Sequence, residues 1–263
     1  VEANRVLEAH LRYLRHLTSA GGGTVYDQAG FTGFCSPHPI PFLVNIWART
    51  DPSASADLGL DMAEEFFASQ GRSAYEVVCL AGRDDNILEA ARRRGLSVGE
   101  HSEPLQMLSH PIETSVPLSQ PTEVRWATSE ADVREVKEIA QAAHVVYGFP
   151  DDLFPTLFES PATVLAPDLG VLIVALDGKP VGTAQIHLGR STAYLGWVAV
   201  HPDAGRSGIG ALTTTSAVQR AFGEGAEEVA LLASPMGASL YRRLGFEDVG
   251  GLRSIEVKEP AAT

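Results

Sequence analysis

The amino-acid sequence predicts an α/β protein, and three observations carry that prediction. Short apolar runs bounded by turn residues alternate with apolar stripes at three- and four-residue spacing. The dipeptide Asp177-Gly178 joins two of those runs, as a hairpin turn does. In addition, Ile87 to Leu96 in the first half echoes Ala238 to Phe246 in the second, which points to a divergent tandem copy of one architecture.

Taken along the chain, Leu7, Leu11, Leu14 and Leu17 make the apolar stripe of an opening helix. Thr24 to Arg49 alternates as strands do, interrupted by Pro37, Pro39 and Pro41. Asp61 to Ser69 reads as helix and Glu76 to Ala81 as a buried strand. The helix-plus-glycine segment of the repeat follows, then a pair of short strands. His110 to Thr122 holds three prolines and no periodicity, so it reads as a linker between residues 1–112 and residues 123–258.

Beyond the linker, Thr128 or Ser129 can cap a helix, with Asp132 placed to complete a capping box for Ser129. Val133, Val136, Ala140, Ala143 and Tyr147 form its stripe, and a second helix covers Asp151 to Glu159. Strands are expected at Val171 to Leu176, Val181 to Leu188 and Thr192 to Val200. A helix then spans about Gly208 to Phe222, a strand Ala230 to Ala233, and a short helix Gly237 to Leu244 that Gly245 can terminate. Phe246 and Glu247 open a last pair of strands that runs to Val257.

Composition excludes several classes of function. The 263 residues are 44% hydrophobic and 20% charged, as in a globular protein, and no apolar run has the length of a membrane span. The net charge of −13, with Arg92, Arg93 and Arg94 as the one tight basic run, argues against nucleic acid. No signal-like segment opens the sequence, so cytoplasmic residence is expected. Cys35 and Cys79 lack metal or redox spacing and read as free buried thiols. The eight histidines include no HExxH pair, and no metal site is expected from spacing.

The chemistry concentrates in Gly205-Arg206-Ser207-Gly208-Ile209-Gly210, between a strand and a helix. Unpaired N–H groups at a helix start, together with its dipole, favour an anion, and glycine lets the backbone approach a phosphate closely. Arg206 adds charge and Ser207 a hydroxyl. A Walker A loop is excluded because Ala211 and Leu212 follow the last glycine. A dinucleotide site, with Glu227 or Glu228 on a ribose, and a plain surface turn both stay open at this point.

Read with its surroundings, Trp197-Val198-Ala199-Val200-His201-Pro202 followed by Arg206 to Gly210 resembles the signature loop of the GNAT superfamily of N-acetyltransferases. Ala233 to Phe246 looks like that family's second motif, and the element order from Glu123 to Val257 resembles the GNAT fold, which implies a mixed, largely antiparallel sheet with helices on both faces. The resemblance implies acetyl transfer from acetyl-CoA to an amine of a small molecule or peptide, by direct attack and without a metal. It implies that Val198, Ala199 and Val200 hold the pantetheine arm through main-chain groups, in a slot where the third strand splays from its neighbour. An N–H near Val198 would polarise the thioester, and Arg206, Ser207, Gly208, Ile209, Gly210 and Ala211 would hold the pyrophosphate. Ser234 would touch the pantetheine, and Tyr241 would protonate the departing thiolate. Gly205 departs from the family's usual Gln or Arg and removes one phosphate contact. His187 is a candidate general base, and Tyr147 and Phe149 are candidate acceptor-pocket residues. A coenzyme A sensor without catalysis and a dinucleotide-dependent oxidoreductase are the alternatives. Residues 1 to 110 contain no comparable glycine turn and are expected to bind no coenzyme A.

Overall fold

The computed structural model describes residues 1–41, 43–113, 120–145, 148–189 and 191–258. The first half opens with α1 (Glu2–Ala20), whose buried stripe includes Leu7, Leu11 and Leu14 but also His10 and Tyr13. Strands β1 (Thr24–Gln28), β2 (Phe31–Cys35) and β3 (Ile46–Arg49) follow, then α2 (Ala56–Ser69), capped by the Ser55 side chain. β4 (Tyr75–Leu80), α3 (Asp85–Arg93), β5 (Ser97–Val98) and β6 (Glu103–Leu108) complete the half.

The second half runs β7 (Thr122–Trp126), α4 (Glu130–His144), α5 (Leu153–Leu157), β8 (Leu169–Leu176), β9 (Lys179–His187) and β10 (Thr192–Val200). After these come α6 (Ile209–Gly223), β11 (Glu228–Leu232), α7 (Ala238–Arg243) and β12 (Glu247–Val257). The Ser129–Asp132 capping box forms, and the hairpin turn takes positive φ at Asp177 (49°) and Gly178 (76°). Two expectations are corrected. The segment after Phe246 is one strand with an irregularity between Asp248 and Gly250, not a pair, because glycines at 250 and 251 bend it without breaking its pairing with β6. The helix expected at Asp151 to Glu159 shrinks to Leu153–Leu157.

The halves repeat each other in detail. β1-β2-β3 is antiparallel with β3 parallel to β4, and β8-β9-β10 is antiparallel with β10 parallel to β11. α3 and α7 end alike: Leu96 N–H bonds the Ala91 carbonyl and Phe246 N–H the Tyr241 carbonyl, both at 3.0 Å, across glycines at φ 74° and 98°. In this alignment Ala91 stands where Tyr241 stands.

The two sheets are joined and interlaced. Strand order is β1-β2-β3-β4-β12-β6-β11-β10-β9-β8-β7. Thus β6 of the first half pairs with β11 of the second, and β12 of the second pairs with β4 of the first. α1 also crosses over, resting on β10 and β11 beside α4 in a shared core that includes Leu7, Leu14, Val136, Phe154 and Tyr194. Arg5 pairs with Glu228 at 3.0 Å and Arg12 donates to the Thr192 carbonyl at 2.8 Å, pinning α1 to the start of β10 and β11. The opposite face carries α6, packed on Leu172, Val174, Ile186 and Leu195. Cys35 and Cys79 are free and buried.

Candidate active site

The site starts from a break in the sheet. β10 and β11 pair only over Thr192↔Glu228, Ala193↔Val229 and Tyr194↔Ala230, after which the strands part while β10 continues to Val200. On its other side β10 carries a bulge. Its register with β9 passes from Gly196↔Gln185 to Ala199↔Thr183, and Trp197 adopts a left-handed φ of 47°. The fork is held at its vertex by Tyr194, whose hydroxyl accepts the Leu232 N–H (3.3 Å) that further pairing with β10 would have satisfied. That hydroxyl lies 2.7 Å from Nδ1 of His10, on α1. Burial lowers the His10 pKa to about 4 and raises that of Tyr194. The neutral imidazole therefore accepts a hydrogen bond from the hydroxyl, which keeps its proton.

Beside the fork lies the glycine turn. Arg206 (φ 61°) and Gly208 (φ 87°) are both left-handed, and Gly208 is the N-cap of α6 with no side-chain cap. The Leu212 N–H is the first to bond within the helix, to the Gly208 carbonyl, so the N–H groups of Ile209, Gly210 and Ala211 have no helical acceptor. Arg206 and Ser207 are exposed, and the Ser207 hydroxyl donates to the Ala204 carbonyl at 2.5 Å, which closes the turn. Gly210 draws the parts together: a Cβ there would sit 3.4 Å from Leu240 of α7 and 3.6 Å from Val200 of β10. Ser234, exposed at the lip, accepts the Gly237 N–H at 3.1 Å. Tyr241 is buried, with its ring against Gly237, where a Cβ would approach to 2.9 Å. Gly210 thus brings the turn, α7 and Val200 of β10 together, and Ser234 and Tyr241 meet at Gly237.

His187 lies elsewhere. It is level with Tyr194 in the sheet, about 13 Å along β10 from Val198 at ~3.3 Å per residue. Its Nε2 is 3.3 Å from Asp168, and burial lowers its pKa. Phe149 stacks on His144 at 5.8 Å, and His144 and Phe154 pack around Trp197. Tyr147 lies outside the described residues.

Residues the sequence reading passed over come from the first half. His10 reaches Tyr194, Tyr13 donates to Gln185 Oε1 at 2.5 Å, and buried Gln106 of β6 holds Asp248 and α7. A signal was present: His10 and Tyr13 fall on the apolar stripe of α1, where polar groups need a partner. The first half's own equivalent fork is closed. Arg49, 1% exposed, donates to Asp84, 0% exposed, and the second Asp84 oxygen accepts the Leu80 N–H. Its turn carries Asp51 and Ser53 in place of glycines.

Residues 133–246 match the family described as Acetyltransferase (GNAT) family. Over the full length the chain is similar to a GCN5-related N-acetyltransferase from Kribbella flavida: TM-score 0.73, 21% identity, 98% of this chain and 96% of the other. It is also similar to a functionally unknown conserved protein from Staphylococcus epidermidis (TM-score 0.68, 15% identity, 89% and 94%). A tandem GNAT protein from the clavulanic acid biosynthesis pathway shares the fold at TM-score 0.57 and 14% identity, over 97% and 96%. A search of curated proteins gave no match. The family match is confined to residues 133–246, and the whole chain has the GNAT-like fold, with the first half repeating its strand and helix order.

Proposed function

We propose that residues 123–258 bind acetyl-CoA and pass its acetyl group to an amine in a ternary complex. The observation that supports this most directly is the β10–β11 fork opening beside a glycine-capped, otherwise uncapped helix start, within a domain of an acetyltransferase family. When bound, the thioester supplies an electrophilic carbon and a thiolate leaving group.

The chain's own residues do the rest. Main-chain groups of Val198, Ala199 and Val200 face the gap that β11 leaves and receive the pantetheine as an added strand. The N–H groups from Arg206 to Ala211 hold the pyrophosphate, with the Arg206 guanidinium as the nearby cation; Gly205 contributes no side chain. Val198 lies outside the β9 register, so its N–H is available to an acyl oxygen. The attacking nitrogen forms the new C–N bond as the C–S bond breaks. Tyr241 gives its proton to the sulfur and regains one from solvent, to which the amine's surplus proton is released. Proximity within the fork supplies much of the acceleration. The acceptor side is built by α4, α5 and the incoming α1, so both halves shape it. The first half lacks the equivalent tyrosine and its fork is filled by Arg49 and Asp84, so one coenzyme binds per chain.

Calorimetric titration with acetyl-CoA, followed by a thiol-release screen across polyamines, aminoglycosides, amino acids and peptide N-termini, tests this reading. Cys35 and Cys79 are buried, so the thiol reagent reads free coenzyme A. One equivalent bound and release dependent on an added amine are expected. Absence of acetyl-CoA binding sinks the reading, and binding without release for every amine replaces the enzyme with a binding module.

A further inference from the structure

Three side chains that play no part at the fork meet on the sheet face beside α1. His16 comes from the last turns of α1, Asp168 precedes β8, and His187 closes β9. His187 Nε2 is 3.3 Å from one Asp168 oxygen and His16 Nδ1 is 3.9 Å from the other. One potential donor atom from each residue lies within 4.8 Å of the other two. The side chains of His16 and His187 are 13% and 8% exposed, against 55% for Asp168. The group sits at the floor of an open depression of about 560 Å³ that Arg12, Arg15 and Ser19 also line.

We propose that His16, Asp168 and His187 bind a divalent transition-metal ion, zinc by preference, with further coordination open to the depression. Tetrahedral bonds of ~2.1 Å set donor atoms roughly 3.4 Å apart. The 3.3 Å contact already meets that spacing, and the other two need side-chain movements of about an ångström. Two imidazoles and a carboxylate are the donor set of zinc, cobalt and nickel rather than of magnesium or calcium, which prefer oxygen alone.

A simple ion pair accounts for the cluster less well. An imidazolium needs acceptors at both nitrogens, yet Nε2 of His16 and Nδ1 of His187 are buried with no hydrogen-bond partner among the described residues. Two facing imidazoliums, ring centroids 5.5 Å apart, would also repel. The neutral rings are the form that ligates metal. The flanking guanidiniums oppose a cation, but Arg12 is held on the Thr192 carbonyl and Arg15 on Asp27 at 3.1 Å. Their charge favours an anion, such as hydroxide or a carboxylate, in the open position. Because the outer nitrogens lack the acceptors that reinforce the tightest zinc sites, the affinity falls about 10–100-fold below theirs. One ligand comes from the first half and two from the second, so the ion also cross-links them.

The test uses untagged, full-length, chelator-treated protein titrated with Co²⁺ by visible absorption and with Zn²⁺ by calorimetry. One equivalent is expected, with Zn²⁺ displacing Co²⁺ and raising Tm. His187→Ala and Asp168→Asn should each weaken binding at least tenfold. Asp168 is exposed, so its variant keeps the fold, as circular dichroism would show, if His187→Ala does not. No binding at millimolar ion, or unchanged affinity in Asp168→Asn, overturns the assignment, and neither result bears on acetyl-CoA binding.

Discussion

Mild acid should destabilise this protein most of all through His10. Its imidazole is buried, and its pKa falls to about 4 because charging it there costs solvation. In the unfolded chain the same group titrates near ~6.5. Between these values the unfolded state binds one more proton, so His10's contribution is fully present above pH 6.5 and is lost as pH falls towards 4. The slope is about 1.4 kcal/mol per pH unit, which gives about 2 kcal/mol lost by pH 5 and about 3 kcal/mol by pH 4. His144 and His187, also lowered by burial, act in the same direction. The assay is urea denaturation at intervals from pH 7.5 to 4.5 on the parent and on His10→Gln, which keeps hydrogen-bonding capacity towards Tyr194 without titrating. The parent should lose about 2 kcal/mol more than the variant by pH 5. Superimposable pH profiles would show that His10 is hydrated or charged in the folded state, and the closed vertex of the fork would have to be abandoned.

Tyr194→Phe strands both His10 Nδ1 and the Leu232 N–H. At about 1–3 kcal/mol for each buried orphan, Tm should drop on the order of 5–10 °C by calorimetry, and a drop below 1 °C would contradict the network. Gly208→Ala places a Cβ at φ 87° on the α6 N-cap. Stability should fall by about 1 kcal/mol and acetyl-CoA should bind more weakly in titration, whereas unchanged affinity would remove the turn from the coenzyme site. Tyr241→Phe should cut turnover about 100-fold while the acetyl-CoA Kd stays near the parent's, and full activity would exclude Tyr241 as the acid.

Much of the second half was legible because its signals are local. The Ser129 cap, the Asp177-Gly178 turn, the limits of β10 and the left-handed Gly245 each depend on a few neighbouring residues, and each stands where the sequence places it. The echo of Ile87–Leu96 in Ala238–Phe246 proved to be a shared helix terminus with the same pair of closing hydrogen bonds. The last segment, expected as a pair of strands, is one, because pairing with β6 and then with β4 keeps it continuous through Gly250 and Gly251.

Local pattern therefore determined the class of fold, the tandem repeat and the glycine turn, since backbone propensity and hydrophobic period act over a few residues. Only tertiary structure decided that the halves exchange strands, that α1 of the first half braces the vertex of the second half's open fork, and that His16 meets Asp168 and His187. Those facts depend on contacts between residues more than 120 positions apart, for which no spacing in one sequence provides a rule. They form because a buried hydroxyl, imidazole or sheet edge must find its partner wherever the packed chain brings one.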